Sequence, residues 1–351
     1  MRSHAANSPK KRPEGRSPAG RRLARSYPRG ARRRIRAARP LPALILAFSG
    51  AFSVTASDSA STLALRPAAP QIPVNPDLAI SFQGDLGAYS HQACVEVFPE
   101  MTPLPCATFE EAVSAVKEGR ARLAMLPVEN STYGRVADVH QILPDAGLYI
   151  IGEHFVRIAL DLLVLPGVTL DEVKEAQSHL VALGQCNGFL RRHGIKPVTG
   201  YDTAGSAAIV AREGKRERAA IASTLAGELY GLESLAKGIE DADHNTTRFL
   251  VVSRRKLEAE PGTRTVTSFV FRVRNLPAAL YKSLGGFATN GVNLVRLESR
   301  MVGGAFEATE FWAEAEGHVE DENMKRALEE IRFFTTHLKI LGVYPASPLR
   351  R

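Results

Sequence analysis

The chain has 351 residues, 44% hydrophobic and 23% charged, the composition of an ordinary soluble protein long enough for two or three domains with proper cores. Its net charge of +8 is lopsided, because residues 1–40 hold fourteen Lys or Arg against one acid, Glu14; that segment carries +13 and leaves −5 for the rest. The folded body is therefore acidic, and the basic pI of the whole chain says nothing about nucleic-acid binding by it. Three cysteines, Cys94, Cys106 and Cys186, show no CxxC spacing and cannot all pair with one another, which points to a reduced compartment and no structural metal.

Along the chain, the Arg-rich leader precedes an apolar run over 41–54 that ends in the small residues Val54-Thr55-Ala56. A signal peptide, an organellar transit peptide and upstream sequence from a mis-called start all fit this pattern. A membrane span needs about 18 or more apolar residues, and this run is shorter and broken by Ser and Gly. Four prolines between Pro67 and Pro76 read as a linker, so residues 1–77 are expected to be disordered or removed. From Ala79 strands alternate with helices, at 79–82, 123–128, 149–151, 159–164, 196–199 and 219–222, an α/β pattern. The turn Gly84-Asp85-Leu86-Gly87 is not GxGxxG and supports no dinucleotide site.

A buried strand over 249–253 is followed by a charged joint with Gly and Pro, 254–262, read as a domain boundary between halves with separate cores. Beyond it the pattern is strand 266–273, a helix from Pro277, strands 293–299 and 307–315, a helix over 320–338 and a last strand 340–343. That order is the ferredoxin-like βαββαβ plan.

The motif Asn245-Thr246-Thr247-Arg248-Phe249 at the mouth of the 249–253 strand resembles the Thr-Arg-Phe signature of prephenate dehydratases. The resemblance extends to Pro127-Val128-Glu129-Asn130-Ser131, to Ser178-His179 with Gly184-Gln185-Cys186, and to Asp202-Thr203-Ala204-Gly205-Ser206. In the last part of the chain, Leu276-Pro277-Ala278-Ala279-Leu280 is similar to the Gly-Ala-Leu motif of ACT regulatory domains, and Leu297-Glu298-Ser299-Arg300 to their Glu-Ser-Arg-Pro motif. What this implies is a two-lobed, periplasmic-binding-protein-like catalytic domain over 78–254, with its crossover near 245–253, and an ACT domain over 265–345. The family's reaction removes water and carbon dioxide from prephenate and calls for no cofactor and no metal. Arogenate is the alternative substrate, and an extracytoplasmic solute-binding protein is the rival reading from another class. A homo-dimer or homo-tetramer in the cytoplasm is expected, without nucleic acid or membrane; plastid import is the alternative location.

The chemistry needs groups that hold two carboxylates, assist a departing hydroxyl and exclude water. Strand alternation puts Asn245, Thr247 and Phe249 on one face, with Arg248 on the other. Thr247 is the expected donor to the leaving hydroxyl, against the bland alternative of a strand threonine bonded to a neighbouring carbonyl. Arg248 either binds a substrate carboxylate or pins the strand through an internal one. Glu129, at the end of an apolar strand, is either a general acid or an orienting residue. Asn130, Ser131 and Thr203 are read as helix caps whose neighbouring N–H groups face an anion. Gln185 is expected to reach the cleft as an uncharged donor, and His179 to be structural. The effector phenylalanine is assigned to Ala279, Leu280, Asn290, Gly291, Val292, Asn293, Leu294, Glu298 and Ser299. Ala278 in place of glycine and Met301 in place of proline depart from the ACT motifs and leave the effector's identity open.

Overall fold

The computed structural model describes residues 75–350 except 243, 258, 261 and 302–307. The leader readings and the expected strand start at 307 lie outside them. In the first lobe β1 (Ala79–Gln83), α1 (Tyr89–Val97), β2 (Thr102–Cys106), α2 (Phe109–Lys117), β3 (Leu123–Asn130), a short β4 (Gly134–Arg135), α3 (Ala137–Ile142) and β5 (Tyr149–Arg157) follow one another. Local chemistry sets these boundaries. Thr108 caps α2 by accepting from the Glu111 N–H at 3.1 Å while Glu111 accepts from the Ala107 N–H at 2.7 Å, and Ala112, Val113, Ala115 and Val116 form the buried face of that helix.

The second lobe contains β6 (Asp161–Val164), β7 (Glu175–Ser178), α4 (Leu180–Gln185), α5 (Asn187–Arg192), β8 (Lys196–Thr199), α6 (Thr203–Glu213), β9 (Arg218–Ala222), α7 (Thr224–Tyr230) and β10 (Glu233–Ala236). Its sheet has the order β10-β6-β9-β7-β8. The chain then returns through β11 (Thr246–Ser253) to the first lobe, whose sheet runs β2-β1-β3-β11-β5 with β4 beside β3. The two crossings lie side by side, with the Ile158 N–H donating to the Asn245 carbonyl at 2.9 Å. At another contact between lobes Gly87 has φ +92°, and a Cβ there would lie 2.9 Å from both Cα and Cβ of Ala226 on α7, so glycine lets the turn before α1 approach the second lobe.

The last part is β12 (Thr265–Val273), α8 (Ala279–Thr289), β13 (Leu294–Met301), β14 (Ala308–Glu316), α9 (Glu322–Phe334) and β15 (Thr335–Pro345), a βαββαβ unit with sheet order β13-β14-β12-β15. Helix α9 stops at Phe334, short of the expected 338, because Thr335 already pairs with Val273. Ala278 has φ +62°, the left-handed region, and is the one non-glycine residue there among those described.

The expectation of separate cores is overturned. Val266, Val270, Trp312, Leu341 and Tyr344 of the regulatory sheet share one cluster with Leu126, Val128, Leu143, Leu148, Ile150, Leu250 and Val252 of the first lobe. The contact is close enough that a Cβ at Gly342 would lie 2.0 Å from the Ile150 carbonyl oxygen. A strand buried on both faces reads as an unbroken apolar run, which does not say what covers each face.

Candidate active site

A cavity of about 350 Å³ opens between the lobes, lined by Asn130, Gln185, Thr203, Asn245, Thr247 and Phe249 and by Tyr89, Ser90, His179 and Asp202. Antiparallel pairing of β11 with β3 puts Thr247 opposite Asn130. The Asn130 carboxamide is fixed at both ends. Its oxygen accepts from the N–H groups of Thr132 and Tyr133, each at 2.9 Å, and its nitrogen donates to Thr247 Oγ1 at 3.0 Å and to Asn245 Oδ1 at 2.7 Å. Thr247 Oγ1 is thus engaged as an acceptor, and its own hydrogen is left for the cavity. Asn245 is 2% exposed, and its Nδ2 has no protein partner among the described residues, a second donor beside the first.

Helices α1 and α6 both begin at this cavity, at Tyr89-Ser90 and at Thr203, with first-turn N–H groups and positive dipole ends suited to an anion. Thr203 is the first residue of α6 rather than its cap. The cap is Asp202, whose Oδ1 accepts from the Gly205 N–H. His179 caps α4, accepting on Nδ1 from the Val181 N–H at 3.3 Å, an assignment that leaves the ring hydrogen on Nε2. Its place on the lining, like those of Tyr89, Ser90 and Asp202, went unread in the sequence, although every one of them stands at a helix start.

Three expected site residues are placed elsewhere. Glu129 neighbours Asn130 on a strand and so points to the opposite face; its side chain is 44% exposed and lies 3.9 Å from Arg296 of the regulatory sheet. Ser131 is spent on the return segment, donating to the His244 carbonyl at 2.8 Å and accepting from the Thr246 N–H at 2.9 Å. Asn130 and Ser131 head a hairpin turn into β4 and do not cap a helix. Arg248 points away from the cleft and is 5% exposed, meeting Glu153 and Glu314 at 2.8 Å each and the Tyr344 hydroxyl at 3.1 Å. Of its two readings, the internal pin is the one the geometry meets. Burial works against the Arg248 charge, but Glu314 and Glu153 outweigh it and push its pKa up. Glu314, fully buried, is held below the usual carboxylate range by Arg248 and Arg296 despite that burial.

The residues assigned to the effector are spread along the regulatory unit. Ala279 and Leu280 begin the 11-residue helix α8, whereas Asn290, Gly291, Val292, Asn293 and Leu294 follow its end, roughly 16 Å away at 1.5 Å per residue. Asn290 donates to Glu330 at 2.8 Å, Asn293 to Glu316 at 3.0 Å, and Val292 is core. Glu298 and the Ser299 carbonyl both take Arg135 of the first lobe, at 3.3 and 3.4 Å.

Two α/β lobes closing on neutral donors and two helix starts, with a βαββαβ unit packed behind, make a cleft suited to a small anion. A family model described as prephenate dehydratase matches residues 80–257. A bifunctional N-acyl-homoserine lactone acylase/prephenate dehydratase of Komagataeibacter europaeus is 51% identical, over 79% of this chain and 99% of that protein. A chloroplastic arogenate dehydratase/prephenate dehydratase of Arabidopsis thaliana is 35% identical, over 77% and 73% of the two chains. Among solved structures, a prephenate dehydratase of Arthrobacter aurescens in complex with L-Phe is 32% identical, with a TM-score of 0.70 over 77% of this chain and 92% of that one. The chain belongs to the prephenate dehydratase family, and its catalytic class is that of a decarboxylating hydro-lyase.

Proposed function

We propose that the substrate is prephenate and the products are phenylpyruvate, carbon dioxide and water. As the ring carboxylate leaves as carbon dioxide, its bonding pair enters the ring, the ring becomes aromatic, and the C–O bond opposite breaks, releasing hydroxide that takes up one proton from solvent to become water. A threonine is too weak an acid to surrender its proton early. Its O–H instead donates a hydrogen bond that strengthens as charge grows on the departing oxygen, which stabilises the transition state above the ground state. The observation that carries this reading is the fixed Asn130 carboxamide, which occupies Thr247 Oγ1 as an acceptor and leaves the hydroxyl hydrogen to the cavity. Asn245 Nδ2 and the first turns of α1 and α6 supply donors for the two carboxylates, and Gln185 and Thr203 line the same space.

The choice of prephenate over arogenate rests on charge. Arogenate carries an ammonium where prephenate has a keto group, and among the described lining residues the carboxylate is Asp202, whose Oδ1 is engaged by the Gly205 N–H as the α6 cap. Rates of phenylpyruvate formation from prephenate and of phenylalanine formation from arogenate test this, with kcat/KM expected to favour prephenate about tenfold or more, the scale of one well-placed polar contact. A preference for arogenate would replace the reading. Phenylalanine lowering the rate through the regulatory unit is the accompanying proposal, supported by the L-Phe complex of the Arthrobacter relative. A homo-oligomer in the cytoplasm goes with it. A second reading, acylase activity, draws on the 51% identity with the Komagataeibacter protein and on the apolar flank of the cavity at Tyr89, Ile158, Leu160 and Val181. Release of homoserine lactone from an N-acyl-homoserine lactone is the assay that decides it.

A further inference from the structure

Side chains of the regulatory sheet reach the backs of both strands that carry the Asn130–Thr247 pair. On β11, the residue after Thr247 is Arg248, which Glu153 ties to β5 and which Glu314 and Tyr344 tie to the regulatory sheet. On β3, the Val128 carbonyl two residues before Asn130 lies 3.2 Å from His140 Nε2. The Arg296 guanidinium of β13 presses on the same ring, 2.5 Å from Nε2 and 3.4 Å from Nδ1, and lies over the Trp312 ring at 4.8 Å from its centroid. Between these two clamps the ladder is irregular. Arg248 pairs with Glu129 but Phe249 pairs with Pro127, so β3 carries one residue more than β11 and Val128 is the residue left over. A bulge leaves an unpaired ladder position, so the register beside the cleft depends on side chains behind it more than a regular ladder would.

We propose that Glu314, through Arg248, and Arg296, through His140 and the Val128 carbonyl, are positioning residues that set the spacing of Asn130 and Thr247, so that turnover depends on the docked regulatory sheet. The clamp is stiff because neither charge can move alone. Arg248 is 5% exposed and Glu314 fully buried, and separating such a pair leaves an uncompensated charge in the interior. A shift of the regulatory sheet therefore carries Arg248, and with it the backbone of Thr247. Burial and the neighbouring Arg296 keep the His140 ring neutral at ordinary pH, the state in which it can be wedged between the Arg296 guanidinium and the Val128 carbonyl.

This inference rests on the reading that the Thr247 hydroxyl assists the leaving group, and the test separates the two. Glu314→Gln keeps the shape and one acceptor but removes the charge. Misplacing a catalytic group by 1 Å costs about 10²-fold, so a slackened clamp is expected to lower kcat about tenfold with KM changed less than about threefold. In a Thr247→Val background, where there is no hydroxyl to misplace, Glu314→Gln is expected to cost nothing further. Wild-type kcat in folded Glu314→Gln, or the same loss in both backgrounds, overturns the positioning role. If Glu314→Gln fails to fold, Tyr344→Phe removes a single hydroxyl from the same clamp and is expected to lower kcat about threefold on the same scale, again only when Thr247 is present. An unchanged kcat there overturns the proposal as well. Full turnover in Thr247→Val alone removes the role of the hydroxyl itself, and the positioning role falls with it.

Discussion

Thr247→Val is nearly isosteric and removes one hydroxyl from the cavity. In the folded protein Asn130 keeps its bond to Asn245 Oδ1 at 2.7 Å and both backbone donors on its oxygen, so the turn it organises survives. What it loses is the acceptor at 3.0 Å for its second amide hydrogen, and one unsatisfied donor costs about 1–3 kcal/mol of stability. That is a fraction of the roughly 5–15 kcal/mol that holds a domain together, so the variant is expected to fold. The loss of a transition-state donor is larger in kinetic terms. Removing one such group costs about 10²–10³ in kcat, or about 2.7–4 kcal/mol, and that fall is expected here with KM little changed. Thr247→Ser, which keeps the hydroxyl, is expected to stay within about tenfold of wild type, less than the loss of the donor itself. The assay is phenylpyruvate formation from prephenate under saturation, with circular dichroism and urea melts to certify the fold. A folded Thr247→Val enzyme with near wild-type turnover would refute the assignment, as would equal losses in the Ser and Val variants.

The shared core predicts that a chain ending at Arg255 loses its fold and its turnover together. It uncovers the faces of Leu126, Val128, Ile150, Leu250 and Val252 at about 1.5–3 kcal/mol per large apolar side chain and strips Arg248 of Glu314; a soluble, cooperative, fully active truncated chain would show the halves to be independent. Gly342→Ala drives a methyl into the Ile150 carbonyl and is expected to cost about 1–3 kcal/mol in denaturant melts, with a correspondingly lower Tm; an unchanged midpoint would mean the interface has room for a Cβ. His140 binds its proton at about pH 6.5 when unfolded but only near 4 in the fold, so its contribution is full above 6.5 and is lost as pH falls toward 4, up to about 3 kcal/mol. Burial lowers His91 in the same direction. Melts between pH 7 and 4.5 should therefore show falling stability with a shallower slope in His140→Gln, whose amide can both donate to Val128 and accept from Arg296; parallel slopes would exclude His140 as a source.

Much of this protein is legible in local pattern. The order of strands and helices, the βαββαβ unit and the return strand β11 follow from apolar period, caps and turn residues, because each of those signals is set by neighbours in sequence. Alternation also sorts Thr247 and Arg248 onto opposite faces without any structure. Applied to Glu129 and Asn130, the same rule forbids both from entering the cleft, but which one enters is decided by pairing with β11 across 117 residues of chain, from Asn130 to Thr247. The partners of Arg248 are likewise tertiary. A lone arginine beside a strand is equally suited to a ligand carboxylate or an internal one, and only the docking of β14 brings Glu314 to 2.8 Å. The second face of β11 makes the same point. Phe249 and Val251 belong to a cluster with Ala93 and Cys94 of α1 that continues into the second lobe, while Leu250 and Val252 belong to the one shared with the regulatory sheet, and a sequence of consecutive apolar residues is compatible with either neighbour on either side. Residue type fixes how much surface must be buried, and the meeting of distant elements fixes what buries it.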